Sequence, residues 1–302
     1  MSAPATPSAA RFLASLAAPP GHETPPSFAD GWRVGDGNAP FLSYLGEDAA
    51  GWSGDLAELH GGDAAEHPID LATRRAAMAA LGDVPADAVV ADLGCSAGRL
   101  LGDVARARPE AMLIGVDAVA ADLPRARAAV PGALLFHASV ASLPFGDAVL
   151  DAVFALNLLE HVVEDVAALA EIARVLRPGA PAVLVVPSNP GLYDYYDACL
   201  RHERRYGRGE LAMKSRAAGL RVIERRWVGG LLYPAFWVAK KRNRIGGRRL
   251  SAAEGRRLVE RDIARTGGSG VVATAFSAEG ALAERGVRMP MGIREVLVVA
   301  RR

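Results

Sequence analysis

Cysteine is nearly absent from this 302-residue chain, which holds two, Cys95 and Cys199. One of them sits inside a glycine loop, so a disulfide framework and a cysteine-rich metal site are both excluded, and no metal site is expected. Lysine is almost as scarce, found only at Lys214, Lys240 and Lys241. The basic charge is therefore nearly all arginine, which we read as genome composition. Long apolar runs are missing too: no stretch approaches the roughly 20 uninterrupted apolar residues of a membrane-spanning helix. The N-terminus, with Pro4, Pro7 and Arg11 among small residues, lacks the charged-then-apolar order of a secretory signal. A soluble protein in a cytoplasmic location is the expectation. A strong net charge is also lacking, at +1 overall. That figure hides an asymmetry, because from Arg201 to Arg265 basic residues outnumber acidic ones about three to one while the first third is acid-rich. Such a run is ordinarily a solvated helical surface; an anionic partner is the other reading.

What is present is enough apolar residue, 51% of the chain, for one large core or a core with an appended subdomain. Residues 1–30 carry six prolines among Ala and Ser, a mix that reads as an unordered tail. Residues 31–84 read as a helical segment, in which Asp70 caps a helix that Gly82 ends. From residue 88 onward apolar strand runs alternate with helical periods. The runs are AVVADL, AMLIGV, ALLFH, VLDAVFA and APAVLVVP, and between them lie GRLLGDVARA, AADLPRARAAV and VEDVAALAEIARVL. Near-continuous apolar strands joined by amphipathic crossovers imply a parallel sheet covered on both faces. GELAMKSRAAG with LRVIERRWV adds a helix and a strand, and REVLVVARR closes the chain with another strand. The roughly 65 residues between these last two strands exceed any ordinary loop and must form a subdomain.

The stretch VVADLGCSAGRLL (89–101) is the first strand-to-helix turn, where doubly wound sheets bind their ligands. Gly94 and Gly98 let a ligand approach the backbone. Asp117 ends the second strand, 25 residues after Asp92, where a carboxylate can take both hydroxyls of a ribose. A dinucleotide fits poorly. Its fingerprint needs glycines at relative positions one, three and six, whereas Gly94, Ser96 and Gly98 stand at one, three and five. Asp92 beside the turn would also repel a pyrophosphate and attract a cation. A ribose-bearing cation is the better ligand.

These residues resemble the class I S-adenosylmethionine-dependent methyltransferases. DLGCSAG is similar to their first motif, D/E-x-G-x-G-x-G, with Ser96 replacing the middle glycine. GVDA (115–118) resembles the second motif. ASVASLPFGDAVLDAVFALNLLEHV resembles the GDAxxLPFxDxxFDxVxxxxxLEHV stretch of small-molecule members, and RVLRPGAPAVLVV their fifth strand with its preceding helix and turn. The likeness runs unbroken from residue 88 to about residue 187. It implies a doubly wound, mostly parallel seven-stranded Rossmann-like α/β sheet, with N-terminal helices and an inserted helical cap. The sheet domain would comprise residues 85–228 and 292–302, and the cap residues 229–291. The implied cofactor is S-adenosyl-L-methionine. Asp92, Gly94, Cys95, Ser96 and Gly98 would surround its methionine part, Asp117 would hold the ribose with Ala118 beside it, Ser139 and Val140 would meet adenine, and Asn157 would face the sulfonium. Ser139 stands where the family has an acid, so its bond to adenine lacks charge.

Methyl transfer from a sulfonium chiefly needs the nucleophile held in line and water kept out, an orientation effect of about 7 to 11 kcal/mol in favourable systems. A base is needed only when the acceptor must lose a proton. His161, in LLEHV, is the candidate base, weighed against a packing or hydrogen-bonding role; Glu160 reads as scaffold. Acceptor contacts are expected from the region of Tyr44, from NPGLYDYYDACLRHERRY and from the insertion. Tyr193, Tyr195, Tyr196 and His202 either line a pocket or only cover a helix. WVGGLLYPAFWVAKKRNR (227–244) puts aromatic residues beside Lys240, Lys241, Arg242 and Arg244. That suits a peripheral membrane contact or a lipid-like substrate, or a lid helix with a solvated end; the interruption by Pro234 and the glycine pair favours the lid. The expected partner is a small organic methyl acceptor. The alternatives are a nucleic-acid methyltransferase using the arginine-rich 201–265 region, disfavoured by ALNLLEHV after the fourth strand, and a non-catalytic cofactor-binding partner subunit.

Overall fold

The computed structural model describes residues 6–28, 31–35, 37–46, 67–246 and 251–302. It begins with helix α1 (Pro7–Ala14), then the short strands β1 (Ser27–Phe28), β2 (Trp32–Val34), β3 (Gly37–Ala39) and β4 (Leu42–Ser43), and helix α2 (Pro68–Ala80). The alternating part follows as β5 (Val89–Leu93), α3 (Arg99–Ala107), β6 (Met112–Asp117), α4 (Leu123–Ala129), β7 (Leu134–His137), β8 (Ala152–Leu156), α5 (Asp165–Val175) and β9 (Pro181–Pro187). Then come α6 (Tyr195–Cys199), α7 (Glu210–Ala217), β10 (Leu220–Val228), α8 (Tyr233–Gly246), α9 (Ala252–Gly267), α10 (Gly270–Glu284) and β11 (Arg294–Arg301). The large sheet runs β10-β11-β9-β8-β5-β6-β7-β4, with β11 antiparallel to both its neighbours and the remaining pairs parallel. No helix among the described residues is long and apolar enough to cross a membrane.

The central strands read as unbroken apolar runs because both their faces are covered. Val89, Ala91 and Leu93 of β5 point to a core shared with Phe12 of α1, Leu169 of α5 and Leu211 of α7. Val90 points to the opposite core with Ala77 of α2, Leu101 of α3, Ala126 of α4 and Phe276 of α10. Successive residues of one strand thus serve two cores, as the period-2 geometry of a strand requires.

Two expectations fail at the N-terminal end. Within the proposed tail, Pro7–Ala14 is helical: Thr6 caps it, Pro7 starts it, and Phe12 is fully buried. Burial of one amphipathic face outweighs the proline content there. Among the described residues of 31–84 only α2 is helical, residues 47–66 lying outside them; the FLSYL stretch instead supplies β4, an eighth strand beside β7, with Leu42 paired to Phe136 and Ser43 to His137. The cap of α2 is His67, whose Nδ1 accepts from the Ile69 N–H at 3.2 Å. Asp70 sits inside the first turn and pairs with Arg294 at 3.0 Å. Gly82, at φ +73°, lies just past the helix end as expected.

Candidate functional site

β5 lies between β6 and β8, so the strand order reverses at β5 and opens a crevice at the carboxyl ends of these strands. The turn after β5 fills that position. Gly94 and Gly98 both have φ near +77°, and a side chain on Gly98 would place its Cβ 2.9 Å from Ala126 Cα. Ser96, where the resembling motif has glycine, adopts φ +44° as well. Its strain is offset by two bonds: its N–H donates to Asp117 Oδ2 at 2.7 Å and its hydroxyl to Asp122 Oδ2 at 3.1 Å. The Gly94 and Cys95 amides both donate to Val116 O, which ties the turn to β6. Cys95 is buried, and burial with the charges of Asp117 and Asp92 pushes its thiol well up, so it packs as a thiol.

Three carboxyls surround this one turn. Asp92 is 4% exposed, and burial followed by repulsion from Asp117 raises it to about 7 against the pull of Arg74. Asp117 is raised to about 6, by burial first, opposed by the amides of Ser96 and Val119. Val119 N–H donates to Asp117 Oδ1 at 2.9 Å and the Ala118 amide also stabilises the carboxylate, which leaves acceptor capacity for a further donor. Asp122 is buried, and its Oδ1 has no hydrogen-bond partner, with Arg125 no nearer than 3.7 Å. The sequence reading missed Asp122, because in AADLPRA it looks like an ordinary helix-start acid. It also missed His137, which reaches Ala118 O at 3.2 Å and Ser43 Oγ at 2.8 Å and so joins β4 to the loop after Asp117.

Ser139 follows β7, half-buried, with its hydroxyl accepting from Ala141 N–H at 3.2 Å and Val140 buried beside it. Asn157, at φ +52°, ends β8 with its N–H on Val185 O. Leu158 packs on Gly94: a Cβ there would lie 3.2 Å from Leu158 Cδ1. The next residues form a short 3-10 turn, Leu159–His161. Glu160 is 1% exposed, and burial raises its carboxyl to about 8. The His161 ring lies edge-on to that of His202, centroids 4.7 Å apart.

The residues held open for the acceptor are mostly occupied by scaffold bonds. Tyr193 donates to His202 O at 2.6 Å and Tyr195 to Asp262 Oδ2 at 3.0 Å, while Tyr196 lies under Lys240. His202 Nδ1 donates to Asp197 Oδ1 at 2.9 Å. The basic end of 227–244 divides, with Lys240 buried and Arg242 and Arg244 exposed. Lys240 is 5% exposed and bonds Asp194 at 2.6 Å and Asp197 at 3.0 Å, and Arg244 donates to Gly191 O at 2.6 Å. Pro234 starts α8 instead of interrupting it, where its missing N–H costs nothing. Trp237 and Val238 remain exposed. A cavity of about 410 Å³, lined by Leu71, Arg74, Arg75, Met78, Asp103 and Arg106, shares no residue with the glycine turn. Arg74 and Asp103 already pair across it at 2.6 Å, and we place the site at the turn.

Residues 91–184 match the model of a methyltransferase domain. A Mycolicibacterium smegmatis protein named a probable S-adenosylmethionine-dependent methyltransferase is 31% identical over 138 residues, 44% of this chain and 52% of that protein. Trans-aconitate 2-methyltransferase of Azoarcus sp. is 33% identical over 117 residues, 38% of this chain and 46% of that enzyme. The chain thus spans about half the length of these two relatives. Geranyl diphosphate C-methyltransferase of Streptomyces coelicolor, solved with Mg2+, geranyl-S-thiolodiphosphate and S-adenosyl-L-homocysteine, superposes with a TM-score of 0.52 at 15% identity. That superposition covers 76% of this chain and 74% of that one, a likeness of fold. With the motif order and the strand order, these matches show a methyltransferase domain over residues 91–184 of the chain.

Proposed function

We propose that the chain transfers a methyl group from S-adenosylmethionine to a small organic acceptor. The observation that carries the reading is the convergence of Asp92, Asp117 and Asp122 on one glycine turn at the sheet's switch point. Two buried carboxyls and a partly buried third, with one oxygen that has no hydrogen-bond partner, are a costly arrangement for a free protein. A ligand carrying a sulfonium and an ammonium offsets that cost; a pyrophosphate would add to it. The donor set therefore fits the cofactor. Asp117 has acceptor capacity left for ribose hydroxyls, the backbone of Gly94 and Gly98 leaves room for the methionine part, and Ser139 with Val140 would meet adenine. When bound, the cofactor supplies an electrophilic methyl group. The chain's own part is to hold the acceptor at the turn after β8, near Asn157, to keep water out and, where the acceptor must lose a proton, to accept it near His161.

The nucleic-acid alternative has less support where basic residues of that region are paired internally: Arg204 and Lys214 with Asp165, Arg205 and Lys240 with Asp197, and Arg226 with Glu224. The test is calorimetry on Asp117→Ala. Loss of a hydrogen bond to a charged group, about 1.5 to 3 kcal/mol, predicts at least a tenfold weaker Kd for S-adenosylmethionine. Unchanged affinity in a folded variant would remove the ribose role. Turnover is checked by S-adenosylhomocysteine release with a panel of phenols, amines and quinones; silence throughout with tight cofactor binding would favour a non-catalytic partner subunit.

A further inference from the structure

Glu160 and His161 are consecutive on the turn after β8, and His202 belongs to a loop about 40 residues further along, so only the fold brings the three together. The loop is clipped in place by three bonds. Glu203 N–H donates to Glu160 O at 2.7 Å, His202 N–H to Asp197 O at 2.9 Å, and the Tyr193 hydroxyl to His202 O at 2.6 Å. One ligating atom from each of Glu160, His161 and His202 lies within 4.8 Å of the other two.

Two further observations separate this cluster from ordinary packing. The Glu160 side chain is buried at 1% exposure, yet its Oε2 has no hydrogen-bond partner, which is rare for a buried carboxyl. His202 is oriented from behind: its Nδ1 donates to Asp197, a fully buried carboxylate that Arg205 and Lys240 hold at 2.8 and 3.0 Å. A carboxylate on one ring nitrogen fixes the proton there and leaves Nε2 with its lone pair, the arrangement that supports metal-bound histidines.

We propose that Glu160, His161 and His202 bind one divalent cation of the zinc class, leaving an open coordination position for water or for an oxygen of the acceptor. Two imidazole nitrogens and one carboxylate oxygen are a donor set suited to zinc and its first-row neighbours, and three protein ligands mark an open site rather than a closed structural one. Bonds of about 2.0 to 2.2 Å put ligand atoms about 3.3 to 3.5 Å apart, so the cluster has to close by no more than about 1.5 Å on binding. That the site borders the methyl-transfer cleft rests on the function proposed above; metal binding itself does not. With a cation in place His161 would be a ligand and not the base; an acceptor hydroxyl held there would give its proton to a water molecule, and its oxygen would form the new C–O bond as the methyl group's C–S bond breaks and S-adenosylhomocysteine leaves.

The experiment uses the full chain after chelator dialysis, with Zn2+ followed by calorimetry and Co2+ by its visible d–d bands. One equivalent per chain is expected, with Kd weakened at least tenfold in Glu160→Gln and in His202→Asn, each checked for folding by circular dichroism. His202→Cys should retain the metal and add a thiolate-to-cobalt charge-transfer band, a readout that a merely structural role would not produce. The proposal is overturned if wild-type protein binds no Zn2+, or if binding is indifferent to Glu160→Gln and His202→Asn, or if Co2+ in His202→Cys shows no sulfur ligation. S-adenosylmethionine affinity is measured on the same samples. Cofactor binding without metal binding sinks this site alone; metal binding without cofactor binding sinks the methyltransferase reading alone.

Discussion

The two raised carboxyls at the glycine turn make cofactor affinity depend on pH in a stated direction. Asp117 is raised to about 6 and Asp92 to about 7, in both cases chiefly by burial. A cationic ligand whose ribose hydroxyls donate to Asp117 needs both groups ionised. At pH 8 nearly all molecules meet that condition; at pH 5 about one in ten has Asp117 ionised and about one in a hundred has Asp92 ionised. Since apparent Kd scales inversely with the competent fraction, lowering the pH from 8 to 5 should weaken binding about tenfold if Asp117 alone matters. If both matter, the loss approaches a thousandfold. Calorimetry across this range in buffers of different ionisation enthalpy should also detect protons released on binding near pH 6. The free protein shows the opposite sign. Each carboxyl holds its proton more tightly folded than unfolded, so its contribution to stability is complete below the unfolded carboxylate range, near 4, and is lost as pH rises through 6 to 7. Asp92→Asn should therefore stabilise the free chain at pH 8 and much less at pH 5. A cofactor Kd constant within threefold from pH 8 to pH 5, with the fold intact, would refute the electrostatic account of the turn.

Three further outcomes follow from single contacts. Gly98→Ala must hold a side chain at φ +77° with its Cβ against Ala126, and should cost about 1 to 3 kcal/mol, read as a lower urea midpoint. Lys240→Ala leaves buried Asp194 without its cation and Asp197 with Arg205 alone, and should cost about 3 to 5 kcal/mol; a Tm within a degree of wild type would show the pairs to be incidental. Ser139→Asp restores a charged acceptor facing adenine and should tighten S-adenosylmethionine binding by up to about tenfold, while weaker binding would mean that adenine lies elsewhere.

The parts legible from sequence were those whose signal is local. Strands β5 to β9 carry continuous apolar runs because helices cover both faces, and Asp92, Gly94, Gly98 and Asp117 stand at spacings set by one turn and one crossover. The remainder depends on closure of the chain. Asp122 joins the site only because Ser96 takes a left-handed conformation and turns its hydroxyl towards it. Lys240 reads as part of a solvated basic run, and its acidic partners lie 46 and 43 residues away on the segment after β9. His202 reads as a possible pocket residue, and nothing in its neighbourhood points to Glu160. β4 is two residues long, too short for any periodicity, and its place in the sheet comes from pairing with β7.

The N-terminal segment gives the sharpest contrast between composition and packing, and it can be tested by removal. Phe12, Leu16, Trp32 and Leu42 are all buried in the core that contains Phe136 of β7. Phe136 meets Phe12 edge-on at a centroid distance of 6.2 Å, Trp32 at 5.3 Å and Phe145 at 4.9 Å. Each of these four N-terminal side chains contributes about 1.5 to 3 kcal/mol by burial, and a domain's net stability is about 5 to 15 kcal/mol. Deleting residues 1–46 therefore removes stabilisation comparable to the whole margin, and it strips the cover from the strand whose His137 braces the loop after Asp117. The deletion variant should be unfolded or aggregated at 37 °C, whereas deletion of residues 1–5 alone, ahead of the Thr6 cap, should leave Tm within a few degrees. If the longer deletion keeps a cooperative transition and undiminished cofactor affinity, α1 and β4 are ornaments on an independent sheet, and the proline-rich composition described the segment better than its packing does.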